Sequence, residues 1–95
     1  MQAITVVATI TAESGAEAIV GQALAAAVPQ VRLEPGCEQY SLHADLEDPR
    51  TYVMVERWRS DADLEAHAKA PAFLQLAKAI SGIATLSIRR MRPVV

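Results

Sequence analysis

A chain of 95 residues is one domain, able to bury roughly 60–65% of its unfolded surface in a single modest core. Hydrophobic residues make up 52% of it, much of that alanine, and mean hydropathy is +0.17, so some apolar surface is expected to be covered by a partner. A net charge of -2 and a pI near 5.6 argue against sequence-independent nucleic-acid binding, because the only basic cluster is Arg89, Arg90 and Arg92.

Cys37 is the only cysteine, which excludes an internal disulfide and a cysteine-based zinc site and suits a reducing compartment. The opening MQAITVVATI alternates and has no basic leader, unlike a signal peptide. No apolar run approaches the roughly 18 residues a membrane span needs. The expectation is a soluble, cytoplasmic protein.

Residues 2–10 predict a strand with Ile4, Val6, Ala8 and Ile10 on one face. Ser14 and Glu17 fit a capping box opening a helix. Its apolar stripe is Ala16, Ile19, Val20, Ala23, Leu24, Ala27 and Val31. Pro29 should kink that helix or start a second segment, and Glu34-Pro35-Gly36 ends it. Residues 37–46 and 51–59 predict two strands joined by the turn Glu47-Asp48-Pro49-Arg50, hence a hairpin. Ser60 and Asp63 form a second capping box. The helix it opens runs from about residue 61 to 69, breaks near Pro71 and resumes through about Ile80. Ser81-Gly82 closes it, and residues 83–91 predict the last strand. The order β-α-β-β-α-β implies an α+β ferredoxin-like fold over residues 1–95. Helices cover one face of a four-stranded antiparallel sheet. The apolar content of the other face implies burial by a second copy in a homodimer.

Few residues in this chain are candidates for chemistry. His67 follows Leu64 by three positions and Ala68 completes that helix face, so it points toward the sheet. It is either a packed histidine donating to a backbone carbonyl or a proton acceptor in a cavity. Trp58 shares a strand face with Tyr52, Met54 and Glu56. If that face is core, Glu56 is a buried carboxylate that must be hydrogen-bonded or paired; if it lies near an edge, Glu56 is wet. An inward Glu56 beside an inward His67 would hold the imidazole in one tautomer. His43, Asp45 and Glu47 alternate on one strand face and offer either three metal ligands or acidic groups fanning into solvent; no metal site is assigned. Cys37 after its glycine turn suits a small buried hydrophobe. There is no glycine-rich phosphate loop, GxGxxG, CxxC or HExxH, so no motif points to a flavin, nicotinamide or nucleotide.

The run EPGCEQY at 34–40, VMVERW at 53–58, DLEAHAKAPAF at 63–73 and SIRRMRP at 87–93 resembles the antibiotic-biosynthesis-monooxygenase superfamily, closest to its small quinol-monooxygenase-like members. The resemblance covers nearly the whole chain. It implies a dimeric α+β barrel without a prosthetic group, with a cavity between sheet and helices that Trp58, His67 and Glu56 would serve. The chain contains no asparagine, and Ala77 stands nearest the late-helix histidine of the haem-degrading branch, so haem cleavage is not implied. Met54 stands where the polyketide-oxidising branch uses an asparagine. The expected activity is cofactor-independent oxidation of a quinol or another electron-rich phenolic or polycyclic molecule by O₂. His67 would be the base and Glu56 its orienter, with Trp58, Phe73, Met54 and Tyr52 around the substrate. The alternatives are a small-molecule isomerase on the same scaffold and a non-catalytic aromatic-ligand-binding or stress-related module.

Overall fold

The computed structural model describes residues 3–95. Its elements run β1 (Ile4–Ala12), α1 (Glu17–Val31), β2 (Cys37–Ala44), β3 (Thr51–Trp58), α2 (Asp61–Lys69), α3 (Pro71–Ile80) and β4 (Ala84–Met91). The strands pair antiparallel in the order β2-β3-β1-β4. This is the expected α+β ferredoxin-like arrangement, with the second helix divided at Pro71. The first strand, expected from residue 2, is seen from Ile4, and residues 1 and 2 lie outside the described part.

Local chemistry accounts for most of the boundaries. Ser60 Oγ accepts from Asp63 N at 3.3 Å, so the second capping box starts α2 as its sequence implies. The box expected at Ser14 does not form; Ala16 occupies the cap, and Glu17 turns its carboxylate back to Gly15 N instead. Pro29 stays inside α1, which continues without a second segment and stops two residues later at Val31. Asp45 Oδ1 accepts from Glu47 N and Asp48 N, and this carboxylate-closed turn ends β2 at Ala44, two residues short of the expected Leu46.

The core lies between one sheet face and the helices. Val6, Ala8, Ile10, Ala12, Tyr40, Met54 and Trp58 come from the sheet, and Val20, Leu24, Ala27, Val31, Ala72, Leu76 and Ile80 from the helices. Ile19, expected in the α1 stripe, is 59% exposed, because the buried arc of the helix is only as wide as Val20, Leu24, Ala27 and Val31. Gly21 is needed in that arc: Tyr52 lies so close that a β-carbon there would overlap its hydroxyl. A β-bulge makes Glu38 an extra residue, with Cys37 opposite Trp58 and Gln39 opposite Arg57. Cys37 and Tyr40 therefore both join the helix-covered core, although they are three residues apart.

The helices stop short of β4. Leu86, Ile88 and Arg90 pair with Ile10, Ala8 and Val6 and share their face, yet Leu86 and Ile88 remain 44% and 50% exposed. One side of the sheet–helix layer is thus open along β4. No helix among the described residues is long and apolar enough to cross a membrane.

Candidate functional site

Alternation along β3 puts Met54, Glu56 and Trp58 under the helices, with Trp58 fully buried and Glu56 5% exposed. A carboxylate so placed needs a donor. Trp58 Nε1 provides it, donating to Glu56 Oε1 at 2.9 Å within the same strand face. Burial holds the Glu56 pKa above the usual carboxylate value and the Glu34 charge adds to this, against the Trp58 bond and His67.

On α2, the three-residue step from Leu64 turns His67 inward, where it is 5% exposed. Its imidazole stacks on the Trp58 indole with ring centres 4.5 Å apart, and Tyr40 and Phe73 meet it edge-on. Nδ1 lies 2.8 Å from Glu34 Oε1, and Nε2 lies 4.0 Å from Glu56 Oε1. Two expectations are corrected here. The partner of His67 is a carboxylate rather than a backbone carbonyl, and the residue that orients the ring is Glu34 rather than Glu56. A carboxylate in its ionised form only accepts, so against such a Glu34 the imidazole donates through Nδ1, and Nε2 then presents its lone pair on the side of Glu56.

Two cavities adjoin this cluster. One, of about 200 Å³, is walled by Glu56, His67, Phe73 and Ile88, with Glu65 and Arg90 at its rim. The other, of about 40 Å³, lies deeper along the sheet between Tyr40, Met54, Glu56, Phe73, Ala77 and Leu86. Glu56, Phe73 and Ile88 belong to both, so the cleft consists of two chambers that share a wall carrying a carboxylate. Arg90 Nη2 pairs with Asp61 Oδ1 at 2.5 Å across the outer rim, between β4 and α2.

Residues 3–79 match the family model described as Antibiotic biosynthesis monooxygenase. The chain belongs to that family. It is 32% identical to the Escherichia coli K12 protein described as "Probable quinol monooxygenase YgiN", over 95% of this chain and 97% of that one. The crystal structure of PA3566 from Pseudomonas aeruginosa superimposes with a TM-score of 0.95 at 33% identity, covering 100% of this chain and 97% of the other. Rv0793 from Mycobacterium tuberculosis shares the fold, with a TM-score of 0.91 at 23% identity over 98% and 96% of the two chains.

Within this family fold, the residues singled out from the sequence fall into two groups. His67, Glu56, Phe73 and Met54 meet at the cleft. Trp58 lies behind His67 and is not part of either cavity wall, so it supports the imidazole rather than contacting what enters. Tyr52 is brought nowhere near. It shares the strand face but lies at the other end of β3, where its hydroxyl donates to Glu17 O at 3.1 Å. His43 and Asp45 are exposed at the hairpin, and among the described residues no three His, Cys, Asp or Glu side chains are grouped to hold a metal ion. Cys37 is half-buried and its thiol pKa is raised, foremost by burial and then by Glu34 and Glu56. Glu34 and Tyr40 were not picked out from the sequence. The run EPGCEQY contains both, but nothing in its spacing ties them to a histidine 33 residues further on.

Proposed function

We propose that this protein is a cofactor-independent monooxygenase that oxidises a quinol or a similar electron-rich phenol with O₂. The observation that carries the reading is His67 Nε2, left free by Glu34's hold on Nδ1 and set beside the cleft. A substrate hydroxyl in the cleft gives its proton to Nε2. The resulting anion is rich enough in electrons to reduce O₂ directly, so the substrate does the work of a flavin. Recombination forms a C–O bond. The quinol loses two hydrogens and gains one oxygen, and the second oxygen leaves with those two hydrogens as water.

Glu56, its pKa raised by burial, is the group suited to return a proton to the departing oxygen. Phe73 and Met54 supply the apolar wall that keeps the reacting anion out of bulk water. The size of the cleft favours one- or two-ring substrates, since an apolar cavity of about 150 Å³ accommodates benzene. The name of the Escherichia coli relative, a probable quinol monooxygenase, agrees with this class.

The same reading includes a homodimer. Val7, Val53, Val55 and Met91 lie on the sheet face turned away from the helices, in three adjacent strands. A second copy related by a two-fold axis would cover them. Light scattering at micromolar concentration should return twice the 10.2 kDa chain mass, and a value of 10.2 kDa would remove the dimer from the proposal.

An oxygen electrode with a panel of one- and two-ring quinols tests the enzyme. Consumption of one O₂ per quinol without hydrogen peroxide supports the monooxygenase. Stoichiometric peroxide means simple oxidation, substrate change without O₂ uptake means an isomerase, and binding without turnover means a ligand-binding module.

A further inference from the structure

Glu34 has no place in the scheme above beyond its hydrogen bond, yet its position is closely built. The loop between α1 and β2 is held at both ends: Glu34 N donates to Val31 O at 2.9 Å and Cys37 N donates to Glu34 O at 3.2 Å. It is also fastened to the next layer, where Arg59 N donates to Gly36 O at 2.8 Å. Gly36 has φ +79°, and a β-carbon there would overlap the Asp63 carboxylate, so only glycine lets this loop lie against the first turn of α2. That contact brings Glu34 within reach of His67, one helical turn further along α2.

The position is also asymmetric. Glu34 is absent from both cavity walls, while His67 and Glu56 belong to them. The Glu34 side chain is 15% exposed against 5% for the imidazole. A line from the cleft through the ring therefore runs from Nε2 to Nδ1 to a carboxylate that borders neither cavity and keeps some exposure to water. Other titratable or charged groups around this line are Tyr40 and Cys37 on β2, Arg32 after α1, Glu56 on β3, Glu65 on α2 and Arg90 on β4. Of these, only Glu56 lies near a ring nitrogen, and burial raises its pKa.

We propose that Glu34 is a positioning residue and the proton outlet of the site. It fixes the Nδ1–H tautomer of His67 and passes to solvent, on the far side from the cleft, the proton that Nε2 receives. The step moves only protons. The substrate O–H breaks as Nε2–H forms, Nδ1–H breaks as a Glu34 O–H forms, and Glu34 releases the proton to water. The starting tautomer returns when Nε2–H gives its proton to the departing oxygen and Nδ1 takes one back from water through Glu34. Exchange with solvent then sums to zero over a turnover, and both quinol hydrogens end in the product water. The outlet rests on the reading of His67 as the base; the tautomer does not.

Two measurements test it, one of them independent of any substrate. In protein labelled with ¹⁵N at histidine, His67 of the wild type should show a protonated Nδ1 and a pyridine-type Nε2 above neutral pH. Glu34→Gln presents an amide that also donates, so the proton should redistribute toward Nε2, while Glu34→Asp should keep the wild-type pattern. With a quinol that the wild type oxidises, Glu34→Gln should lower kcat by at least about tenfold with KM nearly unchanged. It should also enlarge the solvent isotope effect, and Glu34→Asp should restore much of the rate. A wild-type His67 protonated on Nε2 overturns the proposal. So does a Glu34→Gln enzyme with the wild-type kcat and pH profile, an outcome that leaves the monooxygenase reading standing. If no quinol is consumed, that reading fails, and the ¹⁵N pattern still decides the role of Glu34 in fixing the tautomer. Should Glu34→Gln fail to fold, the wild-type pattern and Glu34→Asp give the same decision.

Discussion

Glu56 Oε1 and His67 Nε2 face each other across 4.0 Å, too far for a hydrogen bond and close enough for one oxygen atom to contact both. Both side chains border the cleft. On the proposed function, the gap holds a substrate hydroxyl oxygen between the imidazole nitrogen and the carboxyl oxygen. This favours ligands with an acidic O–H over hydrocarbons of the same shape.

Glu56→Gln should change the pH dependence of stability. Burial raises the folded-state pKa of Glu56 above its ordinary 4.5, so the folded chain holds this proton more tightly than the unfolded one. Stability is then lost as pH rises from the ordinary value through the raised one, and the loss persists above it. Glutamine keeps an oxygen for Trp58 Nε1 and has no proton to lose. In calorimetry across pH 4 to 8, the difference in Tm, variant minus wild type, should grow with pH; a constant difference would refute the assignment.

His67→Ala should lower quinol turnover by roughly 10²–10⁴, the range for removing a general base. It should also destabilise the fold by about 2–4 kcal/mol, because the ring fills the space between Trp58, Tyr40 and Phe73 and its loss strips Glu34 of a partner. Chemical denaturation reads the second effect. A variant as stable as the wild type would mean that the packing around the imidazole is loose.

Trp58→Phe should retain most of the stacking and remove the hydrogen bond that the indole N–H gives the Glu56 carboxylate, at about 1–3 kcal/mol. The same substitution in a Glu56→Gln background should cost less, since a neutral amide depends less on that donor. Equal effects in both backgrounds would show that the indole N–H contributes nothing through Glu56.

Gly36→Ala should destabilise by more than about 1 kcal/mol, as both its positive φ and the Asp63 carboxylate oppose a β-carbon. Any fraction that folds should show the His67 tautomer loosened, because the loop that positions Glu34 is pushed off α2. Unchanged ¹⁵N shifts would mean that Glu34 reaches the ring without that contact.

The fold was legible because its signals are local. The alternation around Val6 and Ala8, the hairpin turn at Asp48-Pro49, the Ser60 cap and the break at Pro71 each lie within a few residues. The site was legible only in part. Period two correctly places Tyr52, Met54, Glu56 and Trp58 on one face, but it carries no information on position along the sheet. Tyr52 therefore ends under α1 and Trp58 under α2. Nor does spacing reveal that the chain returns Glu34 to His67, since that contact depends on how the loop at Gly36 packs against a helix begun 25 residues later. The bulge at Glu38 is equally silent in sequence, and it is what brings Tyr40 to the imidazole edge.

Trp58 is the only tryptophan in the chain, it is wholly screened from water, and its indole lies against the imidazole at 4.5 Å. Its emission therefore comes from a single, short-wavelength population. A protonated imidazole stacked on an excited indole accepts an electron from it, whereas the neutral ring does so poorly. The intensity of that one emitter thus follows the charge on His67. A proton held on this imidazole is readable by light in the unmodified protein, without a label.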